Sequence, residues 1–458
     1  MKKLTLQNIA IAVGGTYVGK QMQKSLTVSA ITTDSREVDQ GSLFVPIAGN
    51  RVDGHDFIKQ VMEKGALCTL SERDLPGVSY PYIRVESSLQ AVKDIAEFYL
   101  QQLQIPVVGV TGSVGKTSTK EMIAAVLEQK YKVLKTQGNF NNELGLPLTV
   151  FNLRENDEIA VLEMGISEFG EMHRLAKVAR PDTCVITNIG QCHLENLKSR
   201  DGVLKAKTEI FDYLKADGKI ILNGDDDKLA SIRSVKNIEP LFFGITNQTE
   251  IFADQIENHG LKGISCRIHV GDESFTVLIP IPGQHMVYNA LAGTAVGYTY
   301  GLSIFQIREG IQNLHSLSGR FHIIETQDYT IIDDCYNASP ISMKASLEVL
   351  QDALGRKVAI LGDMGELGAD ENALHEEVGM FAGQCNIDQV ICIGPLSVYL
   401  AAGVKKINPD MKVIHMETKE EFLCNPEAFI KKGDTLLVKA SHFMQFERIV
   451  AALGTVQK

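Results

Sequence analysis

The sequence predicts an α/β protein of three domains. At 458 residues the chain exceeds what one ordinary core organises. From Val107 onward, short apolar runs of parallel-strand type alternate with helical patterns. That rhythm is broken once, between about 241 and 281, by segments of period two.

Composition narrows the function classes. With 44% hydrophobic and 22% charged residues and no tryptophan, the chain is an ordinary globular one, without low-complexity tracts or repeats. A formal net charge of −11, with no Lys/Arg run, would repel a phosphate backbone and argues against nucleic-acid binding. Any anionic substrate must therefore be held by local donors. The eight cysteines, at 68, 184, 192, 266, 335, 385, 392 and 424, never form C-x-x-C and suit reduced thiols rather than a zinc or disulfide framework. No apolar stretch reaches 18 residues, so no membrane insertion is expected. A cytoplasmic monomer is the expectation.

The opening MKKLTLQNIAIAVGG lacks a signal-cleavage pattern and reads as a helix capped by Thr5, burying Leu6, Ile9, Ala10 and Val13 and stopped by Gly14-Gly15. Strands at Leu43–Ile47, Ala66–Leu70 and Tyr82–Val85 alternate with helices at Asp56–Lys64 and Leu89–Gln101. Residues 1–103 thus form a small α/β domain, expected to have its own core.

A central domain, 104–317, opens on the apolar run IPVVGVTG, a Gly-rich turn and a helix with Met122, Ile123, Val126 and Leu127 on one face. Further strands at Ile159–Leu162, Cys184–Thr187 and Lys219–Leu222 give a doubly wound sheet. The period-two segments, with turns at Asn258-His259-Gly260 and Gly271-Asp272, are expected to form an antiparallel β insertion that ends this sheet layer. After Gly319, strands at Tyr329–Ile332, Lys357–Leu361, Gln389–Ile393 and Thr435–Val438 predict a Rossmann-like third domain, 318–458.

The most informative motif is Gly112-Ser113-Val114-Gly115-Lys116-Thr117-Ser118. It ends like a phosphate-binding loop, but the longer G-x-x-x-x-G-K-[ST] pattern would need glycine at position 110, which is Val110. A turn here aims backbone N–H groups and a helix N-terminus at an anion, with Lys116 on the outer phosphates of ATP and the Thr117 hydroxyl on magnesium. Glu163, directly after the apolar run IAVL, fits a magnesium ligand at the carboxyl end of a strand and equally the first polar residue after one. Taken alone, His193 and Lys207 fit ordinary surface, core or helix positions.

Taken together, the short loop, GNFNNELGLPLT (138–149), LEMG (162–165), NIGQCHLENL with KAKTEIF, PGQHMVYNALAG (282–293), SGRF (318–321), DDCYNASP (333–340) and LGDMGELG (361–368) occur in an order and spacing that resemble the Mur ligase family over nearly the whole chain. Within that family, TTDSREVDQGSLFVPIAGNRVDGHDF and DDCYNASP resemble the branch that adds D-alanyl-D-alanine to UDP-N-acetylmuramoyl-tripeptide. The resemblance implies an ATP-dependent, magnesium-dependent ligase acting through an acyl phosphate. It implies that Lys207 is carbamylated by CO₂ and, with His193, helps hold a second magnesium, while Thr117 and Glu163 hold the one that rides on ATP. It further implies that Asn289 meets the adenine and that Arg320 and Asp334 reach the nucleotide when the domains close about the 315–320 linker. Ser35 and Arg36 match the uridine-nucleotide pocket, Asn141 and Asn142 the loop near its phosphates and sugar, and Asn337 a substrate contact in the third domain.

Two positions depart from the family pattern. Met286 follows His285 where an asparagine is common, which removes one polar contact, and Lys439-Ala440-Ser441-His442 lacks the usual terminal arginine. Three rivals are weighed. A folylpolyglutamate synthase would start close to the loop, the ligase adding the third amino acid would carry Asp-Asn-Pro-Arg, and a nucleotide-binding switch would have no use for the Lys207 segment.

Overall fold

In the computed structural model, residues 1–49, 52–247 and 249–454 are described. Asn50 and Arg51 of the quoted N-terminal segment, Gln248 of the insertion and the last four residues of the third unit lie outside the described residues. Among the described residues, three sheets, of five, nine and six strands, organise the fold.

In the N-terminal sheet the order runs Thr16–Val18, Tyr82–Arg84, Cys68–Ser71, Leu43–Phe44, Ile31–Thr32. All neighbours are parallel except the first pair. The first helix, Leu6–Ala12, starts where predicted, with Thr5 Oγ1 accepting from the Asn8 N–H at 3.2 Å. The expectation of a separate core needs correction. Helix Ser88–Leu103 buries Ala91, Val92, Ile95, Ala96, Tyr99, Leu100 and Leu103, an apolar arc wider than one small sheet covers. It packs on the central helices Gly145–Phe151 and Glu171–Ala179 as well, so one continuous core joins the first two units. The Tyr99 hydroxyl, donating to Leu153 O at 2.7 Å, pins that seam.

The central sheet runs Glu273–Ile279, Ile264–Val270, Ile251–Asn258, Leu241–Gly244, Lys219–Asn223, Thr183–Ile186, Val107–Thr111, Ile159–Glu163, Val133–Lys135. The insertion ends this layer as predicted, but only its last two strands are antiparallel. Leu241–Gly244 and Ile251–Asn258 continue the parallel pairing. Period-two patterning reports a half-exposed strand and carries no direction, which is why the correction was needed. Alternate residues of each strand feed two cores. Val108 and Val110 face helices Lys116–Leu127 and His285–Thr299, while Val107 faces the core shared with the N-terminal unit.

The third sheet runs His322–Glu325, Thr330–Asp333, Asp434–Lys439, Arg356–Gly362, Gln389–Ile393, Lys412–Met416. Its first strand, which the sequence pattern did not disclose, is antiparallel and the rest are parallel. Among the described residues, no helix is long and apolar enough to cross a membrane.

Candidate active site

Doubly wound sheets bind ligands beyond the carboxyl ends of their strands. Here two such ends face one another. A cavity of about 670 Å³ is lined from the central side by 113–119, Glu163 and His193, and from the third sheet by Asp334, Asn337, Glu366 and Lys439.

Its floor is the loop between Val107–Thr111 and helix Lys116–Leu127. Gly115 lies at φ +79°, a left-handed conformation that glycine adopts without steric cost. A Cβ on Gly112 would stand 1.9 Å from Thr187 Oγ1, so no other residue fits there. Thr187 and Asn188, at the end of the neighbouring strand, brace the loop. Val114 O accepts from Thr187 Oγ1 at 2.8 Å and from Asn188 Nδ2 at 3.0 Å, and Val114 N donates to Asn188 Oδ1 at 3.0 Å. Lys116 Nζ lies across the loop, donating to Gly112 O at 2.9 Å. Ser113, Val114, Thr117 and Ser118 all line the cavity.

The first predicted metal ligand ends strand Ile159–Glu163. Glu163 is 2% exposed; its Oε1 accepts from Asn141 Nδ2 at 2.7 Å, and its Oε2 takes no hydrogen bond among the described residues. A buried carboxylate oxygen without a donor is costly unless a cation completes it. Lys207 is the second unfinished group. It lies on helix Arg200–Thr208, capped by Ser199, and is 0% exposed, with no hydrogen bond to Nζ among the described residues. Burial, reinforced by the charge of Lys116 and opposed by Cys192, lowers its pKa to about 7. It does not itself line the cavity, although Lys116 and Cys192, whose charges act on it, do. These two groups fit the predicted metal and carbamate chemistry. His193, at φ +50°, points Nδ1 at Glu366 Oε2 of the third unit, 2.8 Å away.

Several other predicted residues reach the cavity with their polar atoms already engaged. Asn289 Oδ1 accepts from Thr119 Oγ1 at 2.8 Å, and its Nδ2 donates to Met286 Sδ at 3.2 Å, so the departing methionine still serves as a weak acceptor. Asn142 Oδ1 accepts from Gly145 N, at the start of the next helix, at 2.8 Å. Asp334 is buried, pairing with Lys439 Nζ at 2.5 Å and accepting from Ser346 Oγ at 2.7 Å. Asn337 O also accepts from Lys439 Nζ, at 3.1 Å. Arg320 spans the cleft, with Nη2 donating to Thr117 Oγ1 at 3.2 Å and its guanidinium 4.1 Å over the Tyr336 ring. Ser35 and Arg36 do not reach this cavity. They lie on an exposed turn of the N-terminal unit, where Arg36 pairs with Asp34 at 2.5 Å.

Sequence reasoning passed over Thr187, Asn188, Tyr336 and Glu366 as site residues. The signal for the first two was present, in a Thr-Asn pair ending a strand beside the loop. The other two act across the cleft, which one-dimensional spacing does not report.

Fold and cavity together define a class: enzymes that bind a nucleoside triphosphate on a short glycine loop and work between two α/β domains. Models of the Mur ligase middle domain, the Mur ligase glutamate ligase domain and the Mur ligase family catalytic domain match residues 110–297, 319–442 and 27–100. A Bacillus subtilis protein named UDP-N-acetylmuramoyl-tripeptide–D-alanyl-D-alanine ligase is 40% identical, covering 99% of both chains. The crystal structure of MurF from Acinetobacter baumannii superposes with a TM-score of 0.89 at 30% identity, covering 98% of each chain. MurF from Thermotoga maritima in complex with ADP does so with a TM-score of 0.82 at 32% identity, covering 93% of this chain and 97% of that one. The chain belongs to the Mur ligase family.

Proposed function

We propose that this ligase joins D-alanyl-D-alanine to the tripeptide of UDP-N-acetylmuramoyl-tripeptide, with conversion of ATP to ADP and phosphate, in peptidoglycan precursor synthesis. The observation that carries the reading is the pair of unfinished buried groups, Glu163 Oε2 and Lys207 Nζ, beside a short phosphate loop. In the division of labour, 1–103 holds the uridine nucleotide with Ser35 and Arg36, 104–317 holds ATP, and 318–458 brings the dipeptide, with Asn337 among its contacts. The chain works as a cytoplasmic monomer.

A carboxylate resists attack by an amine because its charge repels the electron pair and oxide leaves poorly. Phosphorylation removes both obstacles. The terminal carboxylate oxygen of the tripeptide bonds to the γ-phosphorus of ATP as the bond to ADP breaks. Lys116, the loop N–H groups and Arg320 stabilise the charge that builds on the transferred group. The dipeptide amine, having lost its proton, bonds to the acyl carbon, and the acyl–oxygen bond to phosphate breaks. Asn289 and Asp334 position the nucleotide, and Asn141 and Asn142 face the uridine substrate's phosphates and sugar. Closure of the third unit, with Arg320 at the hinge, keeps water from the acyl phosphate.

Thr117 and Glu163 would hold one magnesium, and His193 with a carbamylated Lys207 a second, whose charge would neutralise the like charges that must meet. The carbamate forms when the neutral Lys207 amine adds to CO₂ and releases a proton, turning a cation into a carboxylate. The amine's pKa of about 7 supports this, since half of it is already nucleophilic at neutrality.

The test is ADP release with the tripeptide nucleotide, D-alanyl-D-alanine and ATP together. Lys116→Ala is expected to lower kcat roughly 10²–10³-fold, as loss of one charge-stabilising donor does. Lys207→Ala is expected to be inactive and to regain activity with short carboxylic acids. ADP release that ignores either substrate would overturn the assignment.

A further inference from the structure

The cleft is bridged by a residue that the chemistry above leaves unused, Glu366. Gly368 of the third unit lies against the Glu195 backbone, 3.7 Å from a Cβ placed on it, and Ile341 sits on Gly190. Between these contacts, Glu366 Oε2 stands 2.8 Å from His193 Nδ1. Both residues adopt left-handed backbone conformations, φ +61° and +50°, that side-chain-bearing residues seldom hold without a compensating interaction. Two uncommon backbones, on two domains, aim these side chains at each other.

A carboxylate only accepts, so this 2.8 Å contact favours the proton on His193 Nδ1 and, in the neutral ring, leaves the lone pair at Nε2. Metal-binding histidines are oriented in this way, by a carboxylate on the nitrogen that does not bind the metal. We propose that Glu366 is a positioning residue that fixes the His193 tautomer and ring for metal, and that it does so only while the third domain is seated. The proposal rests on the ligase reading for His193 as a ligand. Its consequence is coupling: whatever seats the third domain tightens metal binding, and bound metal favours the seated arrangement by the same factor.

The test titrates Mn²⁺ into the full chain with ADP and follows free Mn²⁺ by electron paramagnetic resonance, which needs no turnover. Glu366→Ala is expected to weaken Mn²⁺ binding about 10–100-fold, the usual consequence of losing such a partner. Glu366→Gln, which keeps an acceptor, should fall between the native and alanine proteins. In a His193→Ala background the Glu366→Ala change should add nothing. Native Mn²⁺ affinity in Glu366→Ala, or an undiminished further loss in the His193→Ala background, would overturn the positioning role. Either result would leave the ligase reading intact if Lys116→Ala and Lys207→Ala lose coupling. Conversely, a chain that ligates nothing yet shows the expected Mn²⁺ pattern would sink the ligase reading alone.

Discussion

Lys207 destabilises the fold it sits in. Its amine is fully buried with no hydrogen bond among the described residues, and burial brings its pKa from 10.5 to about 7. Between those values the unfolded chain binds more protons than the folded one, so the penalty is largest below pH 7 and fades as pH rises toward 10.5. In CO₂-depleted buffer at pH 7, Lys207→Met should therefore be more stable than the native protein by on the order of 4 kcal/mol, while losing ligase activity. Denaturant midpoints at pH 7 and pH 9.5 should show the gap narrowing. A methionine variant of equal or lower stability at pH 7 would show that the amine has a partner. The same residue marks a limit of legibility. Lys116 and Thr117 could be read because strand, turn and helix follow one another in sequence. What distinguishes Lys207 from a solvated helix lysine, or Glu163 from an ordinary strand end, is burial without a partner, a property of the packed molecule. The family resemblance, not spacing, selected both.

At the scale of the element, helix His285–Thr299 begins with a histidine that packs at 4.6 Å against Phe321, just beyond the interdomain linker. Burial first, opposed by the charge of Asp334 and reinforced by that of Lys439, lowers its pKa to about 4. A histidine depressed in this way stabilises fully above its unfolded pKa near 6.5, and that contribution is lost as pH falls toward 4. Between pH 7 and pH 5 the native protein should lose about 2 kcal/mol more stability than His285→Phe, read from denaturant midpoints at the two pH values. Parallel strands were the most legible elements, because burial on both faces makes an unbroken apolar run; Gln389–Ile393 has the predicted bounds. Thr16–Val18 and Ile31–Thr32 were not legible. At three and two residues they are too short for a period, and the strands they pair with supply their definition.

At the scale of the whole molecule, a chain of net charge −11 must bring two highly charged anions into one cleft, and it does so with few cations that each span elements. Arg320 is the clearest case, tied at once to Thr117 on the loop and to Tyr336 in the third unit. If closing the cleft is what completes the site, the environment of residue 336 should change with ligand state. The absence of tryptophan makes this directly observable. Tyr336→Trp installs the sole indole beneath the Arg320 guanidinium, and because tryptophan is the best platform for a cation, activity should stay within about tenfold of native. Adding ADP with the tripeptide nucleotide should then shift and saturate the emission as the surroundings of the guanidinium that lies over the ring change. The same ligands should leave the emission of a Tyr336→Trp/Arg320→Ala protein nearly unchanged even where they still bind by calorimetry. Identical spectra with and without ligands in the single variant would mean that the two domains hold one arrangement throughout the cycle. Water would then have to be excluded from the acyl phosphate by side chains already in place.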